Sequence, residues 1–270
     1  KHQNCSYYVR HSLGYTEYIC NFNGLLISEK HFIARQKNSK IFAITIKNCL
    51  KYKRRIQAMA VAIPVLGDFK FNSSFSYGND YRGIWCRNSN QLKMYLTSDC
   101  KMSSCAYHKE SFVRNGKIVT NTKLVDCGSD PALAYAVNVV VPADGETVFY
   151  FAISPNGYTF EDPIADFTES VRYFSGLSDT QVHTGIKKLD FLLQWLPYQT
   201  TCSRFFGKCG YYQVSGGFGF RDQLQDCLTM LRVDPSAVRQ HILTCAAHQF
   251  SAGDVMHWWH PPAIGVRTHI

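Results

Sequence analysis

Apolar residues fall into short runs through the first half of the chain. Ile41-Phe-Ala-Ile-Thr-Ile46 is rich in β-branched residues, and Ala58-Met-Ala-Val-Ala-Ile63 is a second such run. Ala134-Tyr-Ala-Val-Asn-Val-Val-Val141 and Thr147-Val-Phe-Tyr-Phe-Ala-Ile153 form the strongest pair. They flank Pro142-Ala-Asp-Gly145, whose Asp-Gly step predicts a tight reversal between two strands. Several short strands with turns between them predict an antiparallel β-sandwich over residues 1–155.

The period changes after Ser154-Pro-Asn-Gly157. Asp162 reads as an N-cap with Pro163 at the first helical position, and Gly176 closes that helix, so residues 156–186 are expected to form a helical linker. From Lys187 onward Leu189, Leu192, Leu193 and Leu196 recur at helical spacing. Phe220, Leu224, Cys227, Leu228 and Leu231 make one apolar stripe on a helix of about 220–232. Asp234-Pro235 caps another helix of about 235–250, with Val238, Ile242 and Cys245 on one side. Helices joined by short polar turns predict an α/α arrangement over 187–270. The expected fold class is therefore α+β multidomain, an antiparallel β-sandwich followed by a helical linker and a partial helical domain.

Composition narrows the chemistry. A chain of 270 residues that is 46% hydrophobic needs no disulfide staples, so its 11 cysteines, with no CxxC among them, read as reduced thiols in a cytosol. The net charge of +9 resides in residues 1–60, which hold 11 Lys/Arg against two acids. No zinc-finger spacing or ribonucleoprotein aromatic pattern accompanies that charge, so nucleic acid is not an expected partner. Lys51, Lys53, Arg54 and Arg55 read instead as a solvated turn or strand end. No apolar run is long enough to span a membrane, and no membrane contact is expected of this segment itself.

Two stretches carry candidate chemistry. In Tyr211-Tyr-Gln-Val-Ser-Gly-Gly-Phe-Gly-Phe-Arg-Asp-Gln-Leu-Gln-Asp226, Arg221, Asp222, Gln225 and Asp226 share one face of a helix that opens behind a glycine-rich loop. Each sugar hydroxyl both donates and accepts, and charged partners make the stronger hydrogen bonds, so this patch suits a polyhydroxyl ligand. A salt-bridged helix start, with Asp222 favoured by the helix dipole, accounts for the same residues without a ligand. The glycine loop lacks the Gly-Lys-Ser/Thr ending of a nucleotide site. In Gly253-Asp-Val-Met-His-Trp-Trp-His-Pro-Pro262, His257, Trp258, Trp259 and His260 read as a sugar-facing aromatic wall or as a buried plug under a loop. His257 and His260 lack an evident third ligand, and no metal is expected.

These stretches resemble glycoside hydrolase family 94, the inverting phosphorylases, and look most like its cyclic β-1,2-glucan synthase branch. The matching text is Gly-Phe-Arg-Asp-Gln-Leu-Gln-Asp at 219–226, Gly-Asp-Val-Met-His-Trp-Trp-His-Pro-Pro at 253–262 and Gly-Val-Arg-Thr at 265–268. Val9-Arg-His-Ser-Leu-Gly-Tyr-Thr16, Tyr81-Arg-Gly, Tyr95-Leu-Thr-Ser-Asp99 and Asp130-Pro131 follow the family order more faintly.

The resemblance implies a sandwich, a helical linker and the first helices of an (α/α)6 barrel. It implies glucosyl transfer from β-1,2-linked glucan to inorganic phosphate, giving glucose 1-phosphate, with phosphate as co-substrate and no cofactor. It implies substrate contacts from Arg221, Asp222, Gln225, Asp226, His257, Trp258, Trp259, His260 and Arg267, and a phosphate contact from Arg204. Gly216 stands about where cellobiose-cleaving relatives carry another arginine, which argues against that specificity. Cellobiose- or chitobiose-type phosphorolysis and a non-catalytic carbohydrate-binding fragment remain the alternatives. The family's general acid is an Asp just after Gly-Val-Arg-Thr, beyond Ile270. Lys1 and Ile270 look like cut ends, so a fragment without turnover of its own is expected. The resemblance admits a homodimer paired through the sandwich, and a cytoplasmic location, free or as the cytoplasmic part of a membrane-bound synthase.

Overall fold

The computed structural model of the chain describes residues 5–64, 66, 75–108, 113–114, 117–118, 127–128, 131–177, 182–206, 217–260 and 265–267. The chain divides into two compact units, Lys1–Val171 and Arg172–Ile270. No helix among the described residues is long and apolar enough to cross a membrane.

The first unit is an antiparallel β-sandwich. Its strands are β1 (Ser6–Ser12), β2 (Tyr15–Phe22), β3 (Leu25–Ala34), β4 (Ser39–Asn48), β5 (Arg54–Ala62), β6 (Phe75–Asp80) and β7 (Gly83–Asn88). They continue with β8 (Lys93–Ser98), β9 (Met102–His108), β10 (Val113–Arg114), β11 (Lys117–Ile118), β12 (Cys127–Gly128), β13 (Pro131–Val141) and β14 (Glu146–Ser154). Among the described residues one sheet runs β1-β2-β3-β4-β14-β8-β7-β6-β12 and a second runs β5-β13-β9. Among the described residues β10 and β11 pair with each other.

The core lies between the two sheets. Leu133, Tyr135, Val137, Val139 and Val141 of β13 meet Phe149 and Phe151 of β14, Leu96 of β8 and Ile84 of β7. The period-2 alternation puts every second residue of β13 on this face. A fully buried Leu133 or Phe149 contributes roughly 1.5–3 kcal/mol relative to an exposed side chain.

The turn that the Asp-Gly step predicts is present, but it joins strands of different sheets: β13 and β14 do not pair with each other. β13 pairs with β5 and β9, whereas β14 pairs with β4 and β8. The turn is an arch that carries the chain from one sheet to the other. Asp144 adopts the left-handed φ of 47° that such a reversal needs. Asn48, fully buried, clips the arch in place: its side-chain amide donates to the carbonyls of Tyr52 and Pro142, and its Oδ1 accepts from the Leu50 N–H. Each strand has a hydrogen-bonded neighbour on both sides within its own sheet.

Helix α1 (Pro163–Gly176) starts where the sequence places it, with the Asp162 carboxylate accepting from the Ala165 N–H at 2.9 Å. Its Phe167 packs edge-on against Tyr15 and Phe32 on the outer face of the large sheet. Lys37 and Arg35 reach Asp166 and Glu169 on the same helix.

The second unit contains α2 (Lys187–Thr200), a π-helical turn (Thr201–Phe206), α3 (Phe220–Asp226), a 3₁₀ turn (Cys227–Met230) and α4 (Pro235–Ala246). A small sheet of β15 (Phe218–Gly219), β16 (Met256–Trp259) and β17 (Val266–Arg267) completes it. Asp234 caps α4 by accepting from the Ala237 N–H.

The apolar stripes of this unit differ from the predicted ones. Leu228 and Leu231 are exposed, and the buried positions are Gln223, Cys227 and Met230. On α4 the buried set is Val238, His241 and Cys245, with Ile242 outward. Cys227, Met230 and Val238 pack with Phe174 and Leu177. The α-helix stops at Asp226, short of the 232 expected, and the chain continues as a 3₁₀ turn, so the 3.6-residue stripe drawn through to Leu231 does not hold.

Candidate functional site

The site is built where β15 turns into α3. The antiparallel register pairs Phe218 with Trp259 and Gly219 with Trp258. Gly219 is also the residue that precedes the first turn of α3, so Asp222 sits three residues from the strand partner of Trp258. The helix that carries the polar patch therefore opens directly from the strand partner of the aromatic segment.

The alternation of β16 separates the two tryptophans. Trp258 is 42% exposed, whereas Trp259 is 2% exposed. Trp259 stacks at 5.3 Å on Phe218 and at 4.0 Å on His248, both nearly parallel. His248 is oriented in turn by a 2.8 Å hydrogen bond from Nδ1 to the Thr244 carbonyl, which can only accept. His241, buried on α4, stacks on the Phe218 ring. Trp259 thus anchors the strand, and Trp258 is the indole that faces outward. His260 meets Trp258 edge-on at 5.1 Å, and His257 is exposed.

On α3, Arg221 and Gln225 are exposed, and Asp222 and Asp226 are half-buried. Arg221 donates to the Asp222 carboxylate at 3.0 and 3.3 Å. The four residues line one face, at i and i+4, opposite the buried Gln223.

Gln223 is a member of the site that the sequence reading passed over. Its amide donates at 2.8 Å to the carbonyl of Gly217, at the exit of the glycine loop. Only a polar side chain in a position of apolar period would have signalled it. A Cβ on Gly217 would come within 2.9 Å of His260 Nε2, so glycine there lets the loop press against the imidazole. The rest of the glycine loop, through Gly216, lies outside the described residues.

Arg267 stands apart from the other candidates. Its guanidinium donates to both oxygens of Asp254, at 2.5 and 2.7 Å, and lies 4.1 Å over the Phe250 ring. The hydrogen bond to Asp254 holds its pKa above the usual arginine value. This bidentate pair braces the turn that leads into β16. Arg204 belongs to the π-helical turn, but its side chain lies outside the described residues. Among the described residues no three His, Cys, Asp or Glu gather as a metal would require. Burial pushes the Cys202 and Cys245 thiols up to about 11, so neither is a nucleophile at neutral pH.

An antiparallel sandwich is thus followed by helices and a small three-stranded sheet. Residues 1–162 match the glycosyl hydrolase 94 supersandwich domain, and residues 173–270 match the catalytic domain of the glycosyl hydrolase 94 superfamily. The chain belongs to the glycosyl hydrolase 94 family.

It is 27% identical to the cyclic beta-(1,2)-glucan synthase NdvB of Rhizobium meliloti (strain 1021), over 97% of this chain and 10% of that protein. It is 22% identical to the N,N'-diacetylchitobiose phosphorylase of Vibrio furnissii, over 94% of this chain and 36% of that one. A solved structure assigned as a kojibiose phosphorylase from the human microbiome shares the fold, with a TM-score of 0.52 at 10% identity over 90% of this chain and 36% of that one. The chain thus spans about a tenth to a third of the length of these relatives.

Proposed function

We propose that this chain supplies the sandwich and the opening of the catalytic domain of an inverting phosphorylase that transfers a glucosyl unit from β-1,2-linked glucan to inorganic phosphate. The observation that carries this reading is the pairing of Gly219 with Trp258, which makes the half-exposed indole's strand neighbour the residue that opens α3. In this reading Asp222 accepts hydrogen bonds from ring hydroxyls, and Asp226, Gln225 and Arg221 extend the polar strip along α3. Trp258 offers its face to the C–H side of the same sugar, with His257 and His260 at its margin. Trp259 and Arg267 serve the site from behind, by holding β16 and the turn before it.

Phosphate is already an anion and attacks the anomeric carbon without a general base. The protein must therefore supply cations and donors rather than a second carboxylate. Arg204 is the residue we assign to phosphate, on the sequence resemblance.

The NdvB match supports the β-1,2-glucan specificity. The chitobiose phosphorylase match supports the second reading, phosphorolysis of N-acetylglucosamine disaccharides. The test uses the product of the complete reading frame that contains this chain, incubated with phosphate and either linear β-1,2-glucan or chitobiose. Glucose 1-phosphate from the glucan supports the first reading. Sugar phosphate from chitobiose alone moves the assignment to the second, and no sugar phosphate from either refutes both.

A further inference from the structure

The edge of the large sheet carries a feature unrelated to the sugar site. β1 is its terminal strand and is exposed along its length up to Ser12. The register pairs Tyr7 with Cys20, and Cys5 lies two residues before Tyr7, so Cys5 and Cys20 are diagonal neighbours on one face. Their sulfurs are 2.8 Å apart. That separation is well inside non-bonded contact, and a bond of about 2.05 Å is reached by under about 1 Å of sulfur movement. Cys5 is exposed and Cys20 is half-buried, so reagents reach the pair from solvent. The hydrogen bond to Cys5 and burial both push the Cys20 thiol up. By contrast Cys86, Cys105, Cys227 and Cys245 are buried in the cores.

We propose that Cys5 and Cys20 are an oxidative modification site, a thiol pair that closes to a disulfide in the presence of a disulfide oxidant such as oxidised glutathione. The exposed Cys5 thiolate attacks one sulfur of the oxidant, forming a mixed disulfide and expelling one glutathione thiolate. Cys20 then attacks the Cys5 sulfur and expels the second glutathione thiolate. The two thiol protons pass to the two glutathiones, the chain loses two electrons, and the oxidant gains them. The bond closes a 15-residue separation and ties the edge strand to β2.

The test exposes the full folded chain to graded ratios of reduced and oxidised glutathione, traps free thiols by alkylation and maps the peptides by mass spectrometry. The expected result is one dominant new cross-link, Cys5 to Cys20, and cleavage within β1 by protease at least tenfold slower in the oxidised chain. In Cys20→Ser the mixed disulfide at Cys5 should persist, because nothing expels the second glutathione. In denaturant the preference for this pair should vanish. The proposal is overturned if the folded chain gives no Cys5–Cys20 cross-link while Cys49 reacts freely, if cross-links are spread among the exposed cysteines, or if Cys20→Ser sheds its mixed disulfide as fast as the unaltered chain.

Discussion

Replacing each tryptophan of β16 by alanine should separate the anchor from the ligand wall. Trp259 is 2% exposed and stacks on both Phe218 and His248. Removing a buried Trp costs about 3–5 kcal/mol, and each aromatic pair adds roughly 0.5–1.5 kcal/mol beyond the area buried, so Trp259→Ala should fall near the upper end of that range. Trp258 is 42% exposed and keeps one edge contact, with His260, so Trp258→Ala should cost about 1 kcal/mol or less. A domain is stable by only about 5–15 kcal/mol, so the first loss is a large share and the second is not. The assay is urea titration with hydrogen exchange read separately for amides of the two units, which avoids treating both as one transition. Exchange in α3, α4 and β16 should accelerate strongly for Trp259→Ala and hardly at all for Trp258→Ala. Equal losses, or a larger loss for Trp258→Ala, would refute the division of labour drawn from the strand alternation.

Three further outcomes follow from the geometry. Asn48→Ala removes three hydrogen bonds at the arch, so it should destabilise the sandwich by about 2–4 kcal/mol in urea titration. Gly265→Ala places a Cβ into the Trp258 backbone, so β17 should detach and the amides of 256–259 lose protection in hydrogen exchange. Burial opposes the charge on Asp80, but hydrogen bonds from the Arg82 N–H, the Tyr95 hydroxyl and the Arg82 guanidinium outweigh it and hold the carboxyl below its usual value. The stability this group contributes is therefore intact above the unfolded pKa of about 3.9 and is lost as pH falls through the lower folded value. An NMR titration of the Asp80 carboxyl should show a midpoint below that of a model peptide, and a midpoint at or above it would contradict the network.

Local signals in the sequence carried furthest. Asp162 and Asp234 cap the helices they predict, because a cap needs only a side chain and an amide three residues on. The β13–β14 arch was not legible, because Asp-Gly dictates a reversal of the chain and says nothing about which partners the two strands then choose. The apolar stripe expected over 220–232 misled because the α-helix ends at Asp226 and a 3₁₀ turn follows. Leu228 and Leu231 are outward, while Gln223 occupies a core position to hold the Gly217 carbonyl. The two motifs name the residues of the candidate site; which of Trp258 and Trp259 is buried was not legible, since that depends on which face of a four-residue strand each takes.

In the proposed function the start of α3 and Trp258 together hold a glucose ring. The most direct measurement is the affinity of linear β-1,2-glucan for the folded chain by calorimetric titration, set beside Asp222→Asn and Trp258→Ala proteins whose hydrogen-exchange protection is unchanged. A charge-assisted hydrogen bond is worth roughly 1.5–3 kcal/mol, so Asp222→Asn is predicted to weaken binding by about tenfold or more; ring packing worth roughly 0.5–1.5 kcal/mol puts Trp258→Ala at about threefold or more. Saturable binding with the same affinity, within about twofold, in all three proteins would contradict the account.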